Sequence, residues 1–209
     1  MSEEQQALRN PLTGKILAIG ALLTATLAIY QIFNLGAYTG FTMLTSQYIY
    51  GLLAMMLPTV FIAIPAARGT RIAPTPWYDW LLALASALCC IFFIINSNEA
   101  VDEGWEYAAP QIVVYISLLT WAIALEATRR CGGWPIFIVV FLASLFPLFA
   151  GYLPDSFAGI STPIDLAAIY HTNSDESLLG IPSQAFASLV IGFLLFGIAL
   201  QRTGGGKFF

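Results

Sequence analysis

The chain has 209 residues, of which 58% are hydrophobic and only 10% are charged. Soluble globular domains contain about 25% charged residues, so this composition excludes a soluble domain. The formal net charge is −4, but in a membrane protein the position of each charge matters more than the sum. Cys89, Cys90 and Cys131 have no metal-ligand or redox spacing, so we interpret them as free thiols.

Apolar segments of transmembrane length recur along the chain. A helix crossing about 30 Å of hydrocarbon needs roughly 20 apolar residues, and no charged residue lies between Lys15 and Arg68. The first apolar stretch is too long for a cleaved signal peptide. We predict an all-α, polytopic membrane protein with about six transmembrane helices and one short amphipathic helix. The predicted spans are residues 16–35, 47–67, 80–95, 111–127, 134–153 and 181–200.

The segments between the spans are predicted as turns and loops. Residues 36–46 form an uncharged turn, and residues 98–110 form a hydrophilic loop that contains four acids. The sequence Cys131-Gly-Gly-Trp-Pro135 predicts a tight turn, so the fourth and fifth spans should pack as an antiparallel pair. In the polar stretch 154–180, Thr162 is a helix N-cap and Pro163 opens the first turn. Leu166, Ile169 and Tyr170 then give this short helix an apolar face for the membrane interface.

All eight Lys and Arg residues fall on one side of a six-span topology. The side that gathers Lys and Arg faces the cytoplasm, so we predict a multi-pass inner-membrane protein with both termini cytoplasmic. The opposite side carries eight acids and no Lys or Arg. The basic residues are Arg9, Lys15, Arg68, Arg71, Arg129, Arg130, Arg202 and Lys207.

Few residues offer chemistry. Glu126 is followed by Arg129 and Arg130 at i+3 and i+4, which places them on one helical face and predicts a local ion pair. A charge in the bilayer can mark a transport path, but we favour an ion pair that anchors the helix end. His171, the only histidine, is interpreted as solvated or interfacial rather than as a general base. No catalytic residue, cofactor site or metal site is predicted, and we expect neither an enzyme nor a nucleic-acid partner.

An ordered series of motifs resembles a known transporter family. The series is similar to the start of the fused permease of TRAP (tripartite ATP-independent periplasmic) transporters, in which the small and large membrane subunits form one polypeptide. The resemblance covers most of the chain, from about Pro76 to Phe209. Its motifs are Pro76-Trp-Tyr-Asp-Trp-Leu-Leu82, Leu125-Glu-Ala-Thr-Arg-Arg130, Gly133-Trp134, Tyr152-Leu-Pro154, Gly180-Ile-Pro182, Phe196-Gly197 and Arg202-Thr-Gly-Gly-Gly-Lys-Phe-Phe209.

The resemblance implies a sodium-coupled secondary transporter that receives organic acids from a periplasmic substrate-binding protein. Residues 1–155 would be the small-subunit-like domain with five spans, and residues 156–209 would begin the large permease subunit. Partners would be the lipid bilayer, the binding protein and the remainder of the large subunit. The alternative is a non-transporting membrane scaffold or assembly protein that is complete as given.

Substrate and sodium ligands are expected outside this sequence. A midplane site in a transporter requires broken helices that line a cavity, hence clusters of Gly, Ser, Thr and Asn within an apolar segment. None of the six predicted spans has such a cluster. We therefore expect that the gene continues past Phe209 into a Gly/Ser-rich re-entrant hairpin, and that residues 1–209 alone neither bind nor move an organic acid.

Overall fold

The structure, a computed structural model, describes residues 11–66, 76–152, 154 and 159–204. The regular structure of these residues is helical throughout, and five of their segments are long and apolar enough to cross a membrane. The all-α, polytopic membrane fold is therefore confirmed. Five residues used in the charge and loop predictions lie outside the described ranges: Arg9, Arg68, Arg71, Asp155 and Lys207.

The first three spans are the helices Pro11–Ile32, Thr45–Ala63 and Trp77–Ile95. The second span ends four residues before the predicted end at residue 67. Its end follows from Pro65, because a proline disfavours helical backbone in the residue before it. Ile64 accordingly has φ −120° and ψ 85°, whereas Pro58 is accommodated inside the helix.

The fourth and fifth spans form one continuous helical segment, Gln111–Phe149, that is interrupted at Gly133. Gly133 has φ 73° and ψ −177°, a conformation that is essentially restricted to glycine. His171 contacts both Trp121 (ring centroids 4.9 Å apart) and the Ser144 carbonyl (2.8 Å). A straight helix would separate those two residues by about 35 Å, so the chain must reverse at Gly133.

The reversal confirms the predicted turn and the antiparallel pair. Trp121 precedes Gly133 by 12 residues and Ser144 follows it by 11, so the two positions face each other at the same depth. The 42-residue candidate span Gln111–Tyr152 thus holds two crossings. Together with the four other candidate spans, it gives the six crossings that the sequence predicted.

The loops contain more helix than the sequence predicted. The predicted turn at residues 36–46 begins with the helix Gly36–Thr39, and the predicted loop at residues 98–110 begins inside the helix Ser97–Asp102. Both short helices begin within a few residues of the end of a span, and backbone hydrogen bonds continue from the last turn of the span into them.

The short helix after the fifth span is Ile164–Asn173. Its predicted N-cap is wrong by one residue: Pro163 occupies that position, and no side chain caps the helix. Thr162 instead donates its backbone N–H to the Pro147 carbonyl (2.9 Å), because the incoming chain docks on the fifth span. The buried face also differs from the predicted one, and consists of Ala167, Ala168, Ile169 and Thr172.

The sixth span combines the helix Ile181–Ala185, the π-helical turn Phe186–Val190 and the helix Ile191–Arg202. It packs near the start of the second span, where the Tyr48 hydroxyl donates to the Ala187 carbonyl (2.7 Å). The core lies between the second, third and fourth spans, and Tyr50 stacks on Phe93 within it at 4.8 Å. Cys89 and Cys90 are buried free thiols and Cys131 is an exposed one.

Candidate functional site

Three helix ends meet on one side of the bundle and bring four charged side chains together. The second span ends at Ala63, the third begins at Trp77, and the fourth carries Glu126, Arg129 and Arg130 in its last turns. Asp79 lies in the first turn of the third span and is completely buried. Consecutive spans run in opposite directions, so these residues lie at the same membrane boundary.

Arg130 is the centre of this group. Its Nη2 lies 2.7 Å from Oδ1 of Asp79, and its Nε donates to Oε1 of Glu126 at 2.8 Å. Its Nη1 donates to the Ile64 carbonyl (3.1 Å), and its guanidinium lies 4.7 Å above the Phe61 ring. The side chain is only 2% exposed. Arg130 therefore connects the ends of the second, third and fourth spans.

Asp79 also connects the third span to the end of the second. Its Oδ2 accepts the backbone N–H of Ala66 at 3.4 Å, while Oδ1 faces Arg130. A buried carboxylate is retained in a low-dielectric site only when a cation and hydrogen-bond donors compensate for its lost hydration. The arrangement supplies both, so Asp79 and Arg130 form a buried ion pair.

Arg129 and Glu126 form a second, more accessible pair. Nε and Nη2 of Arg129 donate to the two carboxylate oxygens of Glu126, each at 2.7 Å. The two side chains are 24% and 27% exposed. The Arg129 guanidinium also lies 5.5 Å from the Trp134 ring centroid. The three residues named from the sequence thus lie together, and their role in anchoring the helix end stays a prediction.

The sequence-based interpretation missed Asp79 as a member of this group. A pairing rule within one helix finds only partners at i+3 or i+4, whereas Asp79 and Arg130 are 51 positions apart. One signal was present: an acid in the first turn of an apolar span, on the side where the basic residues gather. Such an acid requires a cationic partner at the same boundary.

A cavity of about 230 Å³ adjoins the ion pairs. Among the described residues, it is lined by Ile64, Pro65, Ala66, Arg129, Arg130, Gly133 and Trp134. Groups of three or more His, Cys, Asp or Glu that could hold a metal ion do not occur among the described residues. The chemistry that this cavity offers is therefore that of guanidinium groups beside an indole ring.

His171 lies well away from the ion pairs, beside the middle of the fourth span, and has a structural environment. Its Nε2 contacts the Ser144 carbonyl, which can only accept, so this nitrogen is the protonated one. Its Nδ1 lies 3.2 Å from the Ser177 hydroxyl, and its ring packs against Trp121. These contacts hold the short helix Ile164–Asn173 against both arms of the hairpin.

Other polar contacts surround this second site. Thr172 donates to the Ser117 hydroxyl at 2.9 Å, and its carbonyl accepts the buried Tyr50 hydroxyl. Tyr170 donates its hydroxyl proton to Glu176, and this hydrogen bond raises the pKa of Tyr170 above its ordinary value. The hydroxyl groups around this second site are thus committed to protein contacts that tie the helix Ile164–Asn173 to three spans.

Residues 119–209 match the family model of the tripartite ATP-independent periplasmic transporter, DctM component. The matched region starts in the fourth span and includes both arms of the hairpin from Leu119 onward, the short helix and the sixth span. It also includes Glu126, Arg129 and Arg130. No curated protein and no solved structure matches the chain. The division of the chain at residue 155 stays a prediction.

Proposed function

We propose that this chain, whose residues 119–209 match the family model of the TRAP-transporter DctM component, is part of a binding-protein-dependent, sodium-coupled permease for organic acids. The family match carries this proposal, and the multi-pass helical fold supports it. Sodium coupling, the organic-acid substrate and the periplasmic binding protein are expectations that come from the resemblance.

Within such a permease, we assign this chain mainly a scaffold role. The second and third spans are continuous helices that pack closely on each other, and the buried charges Asp79 and Arg130 neutralise each other. A substrate site in a transporter of this kind uses interrupted helices near the midplane. The Gly133 interruption lies instead at a membrane boundary, where it reverses the chain.

Reconstitution in liposomes tests this function. The 209-residue chain is compared alone and together with a large permease component of the matched family, with and without a periplasmic binding protein and an inward sodium gradient. Uptake of a labelled organic acid is expected only when all components and the gradient are present. Sodium-dependent uptake by the chain alone would contradict the scaffold role, and uptake that needs no binding protein would contradict the proposed transporter class.

A further inference from the structure

The cavity beside Arg129 has the features of a site for a phosphate group, and we propose that it binds one at the membrane boundary. The two sources of that group are a phospholipid headgroup and free phosphate. The inference goes beyond the proposed transport function, since it concerns a ligand held between helix ends rather than the transported substrate.

Arg129 supplies the ligand-directed donor. Its Nε and Nη2 are occupied by Glu126, whereas Nη1 has no hydrogen-bond acceptor among the residues that the structure describes. The two hydrogen bonds to the Glu126 carboxylate and the contact with the Trp134 ring fix the plane of the guanidinium. A guanidinium that is held in place loses less side-chain entropy when it binds a phosphate oxygen.

Arg130 also lines the cavity but is not available to turn toward a ligand. Its contacts with Asp79, Glu126 and the Ile64 carbonyl hold it among three spans. Its positive charge nevertheless remains close to any anion in the cavity. The cavity therefore combines one oriented donor with one fixed charge, an arrangement that suits a phosphate oxygen.

The level of the cavity favours a lipid source. It lies where the second span ends and where the chain turns between the fourth and fifth spans. Trp134 is 60% exposed and Trp77 is 77% exposed, and such tryptophans mark the headgroup region of a bilayer. Basic pockets between transmembrane helices on the cytoplasmic side bind the phosphate-bearing headgroups of anionic lipids, and the same phosphate group is present in zwitterionic phospholipids.

The volume of the cavity and the charged groups beside it indicate which ligand to test. The cavity of about 230 Å³ is smaller than the roughly 300–1,000 Å³ of sites for drug-sized ligands, which fits a headgroup whose chains stay outside. Among the described residues, the charged groups in and beside the cavity are two carboxylates and two guanidinium groups, those of Asp79, Glu126, Arg129 and Arg130. Phosphatidylethanolamine carries a phosphate group but no net charge, so it is the probe that tests recognition of the phosphate itself without the added attraction of a net negative lipid.

The test measures retention of phosphatidylethanolamine by the full chain. The protein is purified in detergent after incorporation into phosphatidylethanolamine vesicles, and bound lipid is counted by native mass spectrometry, with a parallel arm in inorganic phosphate. Arg129→Gln is expected to reduce the lipid-bound fraction at least fivefold. Arg202→Gln, which alters another exposed basic residue at a span end, should leave it unchanged.

A second variant keeps the test decisive if Arg129→Gln fails to fold. Trp134→Ala removes a residue that lines the cavity but leaves the two hydrogen bonds between Arg129 and Glu126 in place. It should also reduce lipid retention severalfold. Specific retention of inorganic phosphate, lost in Arg129→Gln, with no retention of lipid would support the site and assign it to a soluble source. Equal lipid retention in the wild type, Arg129→Gln and Trp134→Ala, with no phosphate bound, would overturn the proposal.

Discussion

Arg130 lies between two carboxylates and above a phenyl ring, and its side chain is almost fully buried. Burying one charge without its partner is far more unfavourable than burying a compensated pair. Arg130 contacts residues of three spans, so the removal of its side-chain contacts should weaken the packing of all three. The contribution of these ion pairs should therefore be measurable as a change in the free energy of unfolding.

The buried pair is expected to show strong coupling. Asp79→Asn leaves Arg130 without its main partner at a buried position, and should lower the free energy of unfolding by about 3–5 kcal/mol. The double variant Asp79→Asn/Arg130→Gln removes both charges and should recover much of that loss. Stability in detergent, followed by tryptophan fluorescence during denaturant titration, measures both effects.

The more accessible pair of Glu126 and Arg129 provides a comparison for the buried pair. Glu126→Gln should lower stability less than Asp79→Asn, because Glu126 is 27% exposed and Arg130 keeps its buried partner Asp79. The loss should nevertheless exceed the roughly 0.2–0.5 kcal/mol of a helical surface pair, since Glu126 also accepts a hydrogen bond from the buried Arg130. The substitution should leave uptake by a complete permease unchanged if Glu126 only anchors the helix end. A loss of uptake at normal protein levels would contradict the anchoring role and indicate a part in coupling.

At the scale of one element, the hairpin of the fourth and fifth spans depends on the backbone of Gly133. Its φ of 73° and ψ of −177° lie in a region that side chains with a Cβ rarely adopt. The turn was predictable, because two glycines followed by a proline interrupt an apolar segment. It was not predictable that a single residue interrupts the helix, because the residue at which the chain reverses depends on how the two arms pack.

Substitution at the turn is expected to weaken the hairpin. Gly133→Ala should destabilise the protein by about 1–3 kcal/mol, since alanine is strained in this conformation. Gly197→Ala is the matched control, because its Cβ would meet no atom within 4 Å inside a helix, and alanine favours helix over glycine. Thermal unfolding in detergent compares the two; equal midpoints would show that Gly133 does not determine the turn.

Unlike the turn at Gly133, the π-helical turn in the sixth span could not be predicted from the length of the apolar segment. The turn coincides with the hydrogen bond from Tyr48 to the Ala187 carbonyl, a contact between residues 139 positions apart in the chain. The hydropathy of residues 181–200 predicts a span but carries no information on such a partner. π turns occur mostly as single turns inside α-helices, and the irregularity here lies where a side chain of another span bonds to a helix carbonyl.

Removal of that partner should be measurable. Tyr48→Phe deletes only the hydroxyl, and we expect a loss of about 0.6–1.7 kcal/mol, the range of hydrogen bonds between transmembrane helices. Tyr115→Phe is the control, because Tyr115 is on the exposed face of the fourth span. Denaturant titration distinguishes the two variants; identical stabilities would show that the hydroxyl contributes nothing to the packing of the sixth span.

On the scale of the whole molecule, apolar length was sufficient to predict the spans, whereas contacts distant in sequence were not predictable. The six crossings follow from stretches that are long enough for a bilayer and free of charge. The pairing of Asp79 with Arg130 and the docking of Thr162 on the fifth span arise only when separate spans lie side by side. Such contacts are specified by packing geometry, which a hydropathy pattern does not encode.

The orientation of the molecule in the membrane is the last expected outcome. Among the described basic residues, Lys15, Arg129, Arg130 and Arg202 lie at one end of the bundle, whereas Glu103, Glu106, Asp175 and Glu176 lie at the other. The basic end should be cytoplasmic. The exposed Cys131 sits at that end, so a membrane-impermeant maleimide added from the periplasmic side should not label the wild type.

Introduced cysteines complete the measurement of orientation. In a Cys131→Ser background, Glu103→Cys and Asp175→Cys should react from the periplasmic side, because both positions lie at the acidic end. Arg71→Cys, on the predicted cytoplasmic connection, should react only after the membrane is permeabilised. Labelling of Cys131 or Arg71→Cys from outside, together with protection of the other two sites, would reverse the orientation. It would also move the cavity beside Arg129 to the periplasmic leaflet, where the same headgroup chemistry would apply.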